Sequence, residues 1–146
     1  MTIYLKKGID NIRFGMNQLE VKAIIGAPDR LIVKPEVQNE LTSEYDSLKL
    51  RLTFYENDKL GYIRSSNANL TIGGHKIIDQ KIDEVSSQIN SRSNFWKKEE
   101  YDFFTTYFNE SNWLTLNVKY GFVTEIELGV PFKNEEEYDW PQLIVV

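Results

Sequence analysis

A short amphipathic helix followed by alternating strands occurs twice along this chain, and that repeated order constrains the fold more than any other feature. Asn17 and Glu20 have the spacing of a capping box, which marks a helix start. Gly26 is typical of a helix end. Between these signals the apolar residues fall on one helical face: Val21, Ile24 and Ile25. The pattern predicts a helix over about residues 17–25.

After this helix the apolar period changes to two, which is typical of strands. Residues 48–55, LKLRLTFY, predict a half-buried strand, with neighbouring strands in TSEY before it and LGYIRSS after it. The second half repeats the plan with a helix in KIDEVSSQI and strands in FFTTYF, WLTLNVKYG and FVTEIEL. In the last of these, strict alternation places Val123 on the polar face with Glu125 and Glu127.

These segments predict an α+β fold of two tandem units, each a helix plus a three-stranded antiparallel sheet, that share one core. The units are residues 1–72 and 73–146, which meet near NANLTIGG and form one compact globular domain overall. Matching Val21 to Val85 gives an offset of 64, and matching Leu50 to Leu116 gives 66, which favours an internal duplication. The alternative is that two such runs arise by chance in an α+β protein.

Composition narrows the class of protein. The chain of 146 residues is 41% hydrophobic and 13% aromatic, enough to bury a core, and it contains no cysteine. Disulfides, thiol nucleophiles and thiolate metal sites are therefore excluded. The opening MTIYLKKGID does not read as a signal peptide, and no window reaches the roughly 18 apolar residues of a membrane helix. We expect a cytoplasmic protein that does not contact a membrane.

One stretch resembles a known family. The pattern I-x-F-G-M-x-x-x-E-V-x-x-I-I-G-x-P is carried by the following residues: Ile12, Phe14, Gly15, Met16, Glu20, Val21, Ile24, Ile25, Gly26 and Pro28. It resembles the start of BamE-like (SmpA/OmlA-type) domains, small bacterial modules in which helical segments pack on a three-stranded antiparallel sheet. The resemblance covers about a seventh of the chain and implies a fold more than an activity.

The tandem and acidic form of the chain resembles a bacterial toxin-immunity protein of the contact-dependent inhibition type. Residues 1–73 hold ten Lys+Arg and nine Asp+Glu, whereas residues 74–146 hold seven and thirteen. This imbalance favours a basic protein partner over nucleic acid. The leading hypothesis is an immunity protein that binds a basic toxin domain, such as a nuclease, and occludes its active or substrate-binding surface. The alternatives are an adaptor or scaffold module that binds an endogenous protein, and a small carboxylate-dependent enzyme.

The residues that could carry chemistry do not form a recognisable constellation. His75 is the single histidine and follows Gly73-Gly74, where a loop or edge-strand residue is expected. Glu125 and Glu127 lie about 7 Å apart on a strand, but alternate acids are common on exposed strand faces. Lys49, Arg51 and Arg64, with Tyr55 and Tyr62, could form a basic stacking face for nucleic acid, which the overall acidity opposes. We predict no catalytic, cofactor-binding or metal-binding residues.

The predicted partner-binding surface lies toward the end of the chain. Acidic side chains would steer a basic partner, and aromatic side chains among them would supply buried anchors. The surface comprises eight residues: Glu125, Glu127, Glu135, Glu136, Glu137, Tyr138, Asp139 and Trp140. The alternatives are a solvated acidic loop at 135–139, and an aromatic recognition surface within residues 95–108, which otherwise predict a core strand and its flank.

Overall fold

Among the residues that the structure describes, 45% are in strands and 11% in helices, so the fold is mainly β. We describe it from a computed structural model that covers residues 1–34, 40–89 and 96–143. The first half begins with a small sheet of β1 (Ile3–Tyr4), β2 (Gly8–Ile9) and β3 (Ile12–Arg13), followed by α1 (Gln18–Ile25). Four strands then run as a meander: β4 (Arg30–Val33), β5 (Leu41–Tyr45), β6 (Leu50–Tyr55) and β7 (Lys59–Ser65).

The second half has the same order of elements. A two-stranded hairpin of β8 (Thr71–Ile72) and β9 (His75–Lys76) precedes α2 (Ile82–Gln88). A second meander follows: β10 (Lys97–Glu100), β11 (Thr105–Asn109), β12 (Leu114–Lys119) and β13 (Phe122–Gly129). Helix α1 confirms the predicted helix, because Asn17 and Glu20 form both bonds of the capping box.

The two meanders join into one eight-stranded antiparallel sheet, in the order β10-β11-β12-β13-β7-β6-β5-β4. The predicted fold class, two tandem units of a helix plus three strands, is therefore wrong. The last strands of the two halves pair directly, with Arg64 opposite Glu127 and Ile63 opposite Leu128. Each half also adds an outer strand that the sequence analysis missed. Pairing β7 with β13 leaves neither strand an open edge, so the halves form a continuous sheet.

The resemblance to a BamE-like domain in tandem is also wrong. A helix-plus-small-sheet domain needs helices that cover its sheet, whereas α1 has eight residues and α2 has seven. The residues of the resembling motif are helix caps, turn positions and core contacts, which many folds share. Gly26, for instance, ends α1 with φ 84° and an extended ψ of −174°, a local solution that any helix followed by a strand could use.

Equivalent contacts recur in the two halves at an offset of 63 or 64 residues. Helices α1 and α2 begin 64 residues apart, as do β6 and β12. The backbone N–H of Gly15 donates to Leu60 at 2.8 Å, and that of Asp79 donates to Val123 at 2.8 Å. The strand match of Leu50 with Leu116 was wrong, because β12 begins at Leu114.

A single apolar core lies on one face of the large sheet. The strands contribute fully buried side chains such as Leu52, Ile63 and Leu116, which pack with Val21 of α1 and Val85 of α2. The small N-terminal sheet and the segment after it add further buried residues: Ile3, Ile9, Ile12 and Phe14. Because strand side chains alternate between faces, the residues between these core positions form the opposite, open face.

A β-bulge corrects one predicted face of β13. Asn117 pairs with Glu125, but the next residue, Val118, pairs with Val123. The extra residue reverses the alternation, so Val123 is fully buried rather than on the polar face. The other central hairpin has an irregularity 64 residues earlier, between Thr53 and Phe54. Glu125 and Glu127, beyond the bulge, keep their predicted positions on the open face.

Candidate functional site

Five polar side chains form a connected network at the centre of the open face. Arg64 on β7 donates through Nε to Oε1 of Glu125 on β13 at 2.6 Å. Asn117 on β12 donates through Nδ2 to Glu125 Oε1 at 3.3 Å and to Glu127 Oε2 at 3.0 Å. The hydroxyl of Tyr62 donates to Glu127. The network therefore joins three adjacent strands and bridges the two halves of the chain.

Partial burial strengthens the hydrogen bonds of this network. The side chains of Arg64 and Glu125 are 39% and 25% exposed, so water competes only in part for their hydrogen bonds. Burial raises the pKa of Tyr62, and its hydrogen bond to Glu127 raises it further. Tyr62 consequently stays a neutral donor at physiological pH, and both carboxylates have fixed partners.

A groove crosses the open face beside this network. It has a volume of about 620 Å³, and its lining includes Thr53, Tyr55, Tyr62, Arg64 and Tyr138. We call it the open-face groove. The rings of Tyr55 and Tyr138 stack with their centres 5.4 Å apart. The groove thus has a polar floor and an aromatic wall.

The pKa of Tyr55 reflects the burial of its side chain in this wall. Burial raises the pKa to about 12, with smaller contributions from Tyr138 and Glu40. Gly61 on β7 lies directly beneath the ring, since a Cβ at Gly61 would come within 2.2 Å of Tyr55. The absence of a side chain at this glycine lets the ring lie flat against the sheet.

Beyond Arg64 the open face carries a row of alternating charges. A second concavity, about 300 Å³, is lined by residues that include Glu44, Arg51, Arg64 and Glu125. Glu44 lies 3.5 Å from Arg51 Nε, and it is also 3.5 Å from Arg30 Nη2. Each arginine of the row has a carboxylate partner, so the face is not the basic strip that nucleic acid would favour.

The chain after β13 folds back on itself to complete the groove. Phe132 and Tyr138 form a β-bridge, and their rings stack with centres 4.7 Å apart. Trp140 lies 5.5 Å from Tyr138, and the ammonium of Lys59 lies 5.2 Å from the centre of its ring. Tyr138 and Trp140 are therefore packed within the chain, with part of each ring exposed.

The structure divides the eight predicted partner-binding residues between four places. Glu125 and Glu127 belong to the central network, and Tyr138 forms the groove wall. Four acidic residues are exposed on the folded-back loop: Glu135, Glu136, Glu137 and Asp139. Trp140 turns away from the groove toward Gly15, where a Cβ would lie 3.6 Å from its ring.

Sequence reasoning missed Thr53 and Asn117 as parts of the site, and it placed Tyr55, Tyr62 and Arg64 in a different one. It considered Tyr55, Tyr62 and Arg64 only as parts of a basic stacking face, which the overall acidity opposes. The carboxylates that pair with Tyr62 and Arg64 lie more than sixty positions away in sequence. The available signal was alternation, which places Arg64 on the same side of β7 as Tyr62. Alternation alone does not show that β13 lies beside β7.

The alternative aromatic region is exposed at the other end of the sheet. Residues 101–104 form the tip between β10 and β11, where Phe103 is 86% exposed and Tyr101 stacks on Phe104 at 4.8 Å. The neighbouring tip exposes Tyr120. The prediction of a core strand for residues 95–108 applies only in part, since β11 is half-buried and residue 95 lies outside the described residues.

Two other features of the described residues bear on the predicted chemistry. His75 lies exposed on β9, which confirms an edge-strand position. No group of three or more metal-ligating side chains occurs in the ranges 1–34, 40–89 and 96–143. In the same ranges, no helix has the length and apolar character needed to cross a membrane.

The overall fold has a counterpart among solved structures. It is similar to the crystal structure of an extracellular protein containing a SCP domain from Bacillus anthracis str. Ames, with a TM-score of 0.51 and 12% sequence identity. The similarity covers 87% of this chain and 49% of that chain, so this chain spans about half of that protein's length. At this identity the similarity concerns the fold alone. No protein family and no curated protein matches the sequence.

Proposed function

We propose that this protein is a cytoplasmic immunity protein, which binds a basic toxin domain and occludes its active or substrate-binding surface. The observation that carries the proposal is the open-face groove itself, where Tyr55, Tyr62, Tyr138 and Arg64 surround a concave surface. Tyrosine and arginine dominate the energetic centres of protein interfaces, because they combine large contact area with directional hydrogen bonds.

The network beside the groove supports tight binding. Glu125, Glu127 and Asn117 hold Arg64 and Tyr62 in one arrangement before any partner arrives. Side chains that are already ordered lose little conformational entropy on association, so more of the contact energy appears as affinity. The groove is therefore suited to bind a protein surface without rearrangement.

Charge at the rim supports a basic partner. The exposed acids at 135–137 lie on the loop that leads into Tyr138, and the chain has a net charge of −5. Acidic side chains at the edge of an interface accelerate encounter with a basic partner, and the gain falls as salt increases. Basic toxin domains, such as nucleases, meet this requirement.

A groove-blocking substitution tests the proposal. Thr42 lines the open-face groove, and Thr42→Arg would place a long side chain across it. Ser87→Arg adds the same charge on the exposed surface of α2 and serves as the matched control. Where a secreted protein is encoded next to this chain, its C-terminal domain is the partner to test, with binding measured on an immobilised surface.

We expect Thr42→Arg to weaken binding at least about tenfold, equivalent to about 1.4 kcal/mol, whereas Ser87→Arg binds like the wild type. Replacing Glu135, Glu136 and Glu137 together with Gln should slow association and reduce its dependence on salt. A toxin domain that binds Thr42→Arg as tightly as the wild type would place the interface elsewhere. Failure of the neighbouring domain to bind the wild-type protein would contradict the immunity function.

A further inference from the structure

The two outer strands of the large sheet differ in how they meet solvent. Strand β10 has the sequence KKEE, with Lys97 3.5 Å from Glu99 and Lys98 3.2 Å from Glu100. Charged side chains on an outer strand oppose pairing with another chain. Strand β4 has the sequence RLIV, and among the described residues it pairs with β5 alone. Within ranges 1–34, 40–89 and 96–143, nothing pairs with the outer backbone groups of β4, which lie beside apolar side chains.

The one charged residue of β4 does not protect this edge. Arg30 donates through Nη1 to Asp46 Oδ2 at 2.9 Å, and its Nη2 lies 3.5 Å from Glu44. Glu44 lies on β5 and Asp46 directly follows it, so the guanidinium turns back over the sheet. Its charge is neutralised on the inner side of the strand and leaves the outer side open.

An apolar surface continues from this edge to α1. Leu31 pairs with Ser43, a buried position, so Leu31 and Val33 point toward the helix side of the sheet. They nevertheless remain 57% and 65% exposed, and Leu19 on α1 is 75% exposed. Leu19 and Leu31 line a common groove of about 250 Å³. A contiguous apolar patch of this kind is typical of a protein contact.

We propose that β4 pairs with β4 of a second copy of this chain, antiparallel and around a two-fold axis at Ile32. Directly opposed residues of antiparallel strands lie on the same face, which limits the possible registers. With Ile32 on the axis, Leu31 opposes the second copy's Val33, so all three central pairs are apolar. At each end Arg30, which Asp46 and Glu44 already neutralise, opposes Lys34. With Leu31 on the axis, Arg30 would oppose Ile32, and Asp29 would oppose Val33.

The two-fold axis also explains why the occupant is a second copy rather than a lone peptide. The axis stands perpendicular to the joined sheets, so both α1 helices lie on the same side of the seam. Leu19 of each copy then lies near the Leu31 and Val33 side chains that meet at the seam. A single added strand would bond to the backbone but would bring no second helix to this patch.

The absence of cysteine in the chain allows a direct test of this register. Opposed residues have Cβ atoms about 4.5–5.5 Å apart, near the span that a disulfide bridges. Under mild oxidation, Ile32→Cys should form a covalent dimer at least about tenfold faster than Tyr120→Cys, because pairing raises the effective thiol concentration. Tyr120 is 99% exposed on a hairpin tip and is the matched control. Equal rates for the two variants would overturn the proposal.

Sedimentation equilibrium tests the same contact without a covalent bond. A short strand pair is a small interface, so we expect a concentration-dependent shift toward twice the 17.1 kDa mass of one chain. Ile32→Lys and Val33→Lys give β4 the charge that β10 already has, and both should remain monomeric with unchanged circular dichroism. Tyr120→Lys should dimerise like the wild type. A wild type that stays monomeric up to about 1 mM, or two lysine variants that dimerise normally, would show that the edge does not bind a second copy.

Discussion

Gly61 shows how a single residue shapes the open-face groove. The ring of Tyr55 occupies the space above it. Gly129 lies under the ring of Trp113 in the same way, since a Cβ at Gly129 would lie 2.6 Å from Cδ1 of that ring. We expect Gly61→Ala to destabilise the protein by about 1–3 kcal/mol, because the added methyl group overlaps an aromatic ring in a packed layer. Urea unfolding measures the change.

A double-mutant cycle separates this overlap from a backbone effect. In a Tyr55→Ala background, Gly61→Ala should destabilise the protein much less, because the tyrosine ring that the added methyl group would overlap is absent. An unchanged cost would assign the effect of Gly61→Ala to the strand itself rather than to the ring.

Residue-scale prediction from sequence succeeded where a side chain's role depends on near neighbours. Val21 and Val85 are buried as the helical period predicted, and the capping box formed. It failed at Val123, where one extra residue in β13 reverses the alternation. The site was missed for a related reason, because its side chains are close in space but distant in sequence. Arg64 and Glu125 are 61 positions apart, and only the pairing of β7 with β13 brings them together.

The two helices differ in how their first turns are capped. Asn17 accepts a hydrogen bond from Glu20 N at 2.8 Å, whereas Lys81, at the equivalent position before α2, makes no capping bond. We expect Asn17→Ala to destabilise the protein by about 1 kcal/mol and Lys81→Asn to stabilise it by a smaller amount. Thermal denaturation of the two variants measures both changes. If Asn17→Ala leaves the stability unchanged, the packing of Val21 alone holds α1 in place.

The elements that sequence missed are mostly edges. Strand β4 has four exposed residues, and β10 consists of four charged ones, so neither has the alternation that a half-buried strand requires. Central strands such as β6 and β12 were found, because one of their faces is buried. Since an edge strand gains its structure from its neighbour, its own sequence carries a weak signal. Missing these edges made each predicted sheet one strand too small.

At the scale of the whole molecule, the two halves share both a sheet and a core. The β7–β13 pairs, the Arg64–Glu125 ion pair and the common apolar cluster all cross between them. Domains that unfold separately have cores that do not depend on each other. The continuous sheet therefore predicts one cooperative transition, in agreement with the shared core that the sequence predicts for the two repeated units.

Leu52 and Leu116 provide a matched pair to test this cooperativity, because they are fully buried at an offset of 64. Replacing either leucine with alanine should lower the free energy of unfolding by about 2–5 kcal/mol. All three tryptophans belong to the second half, but Trp140 packs near Gly15 and Lys59 of the first half. In a Trp140→Phe background, the fluorescence of Trp96 and Trp113 reports on the second half. If the halves unfold together, Leu52→Ala should lower the urea midpoint of the fluorescence transition as much as that of circular dichroism. A fluorescence midpoint that stays at the wild-type value in Leu52→Ala, while Leu116→Ala shifts it, would show that the second half keeps its structure without the first.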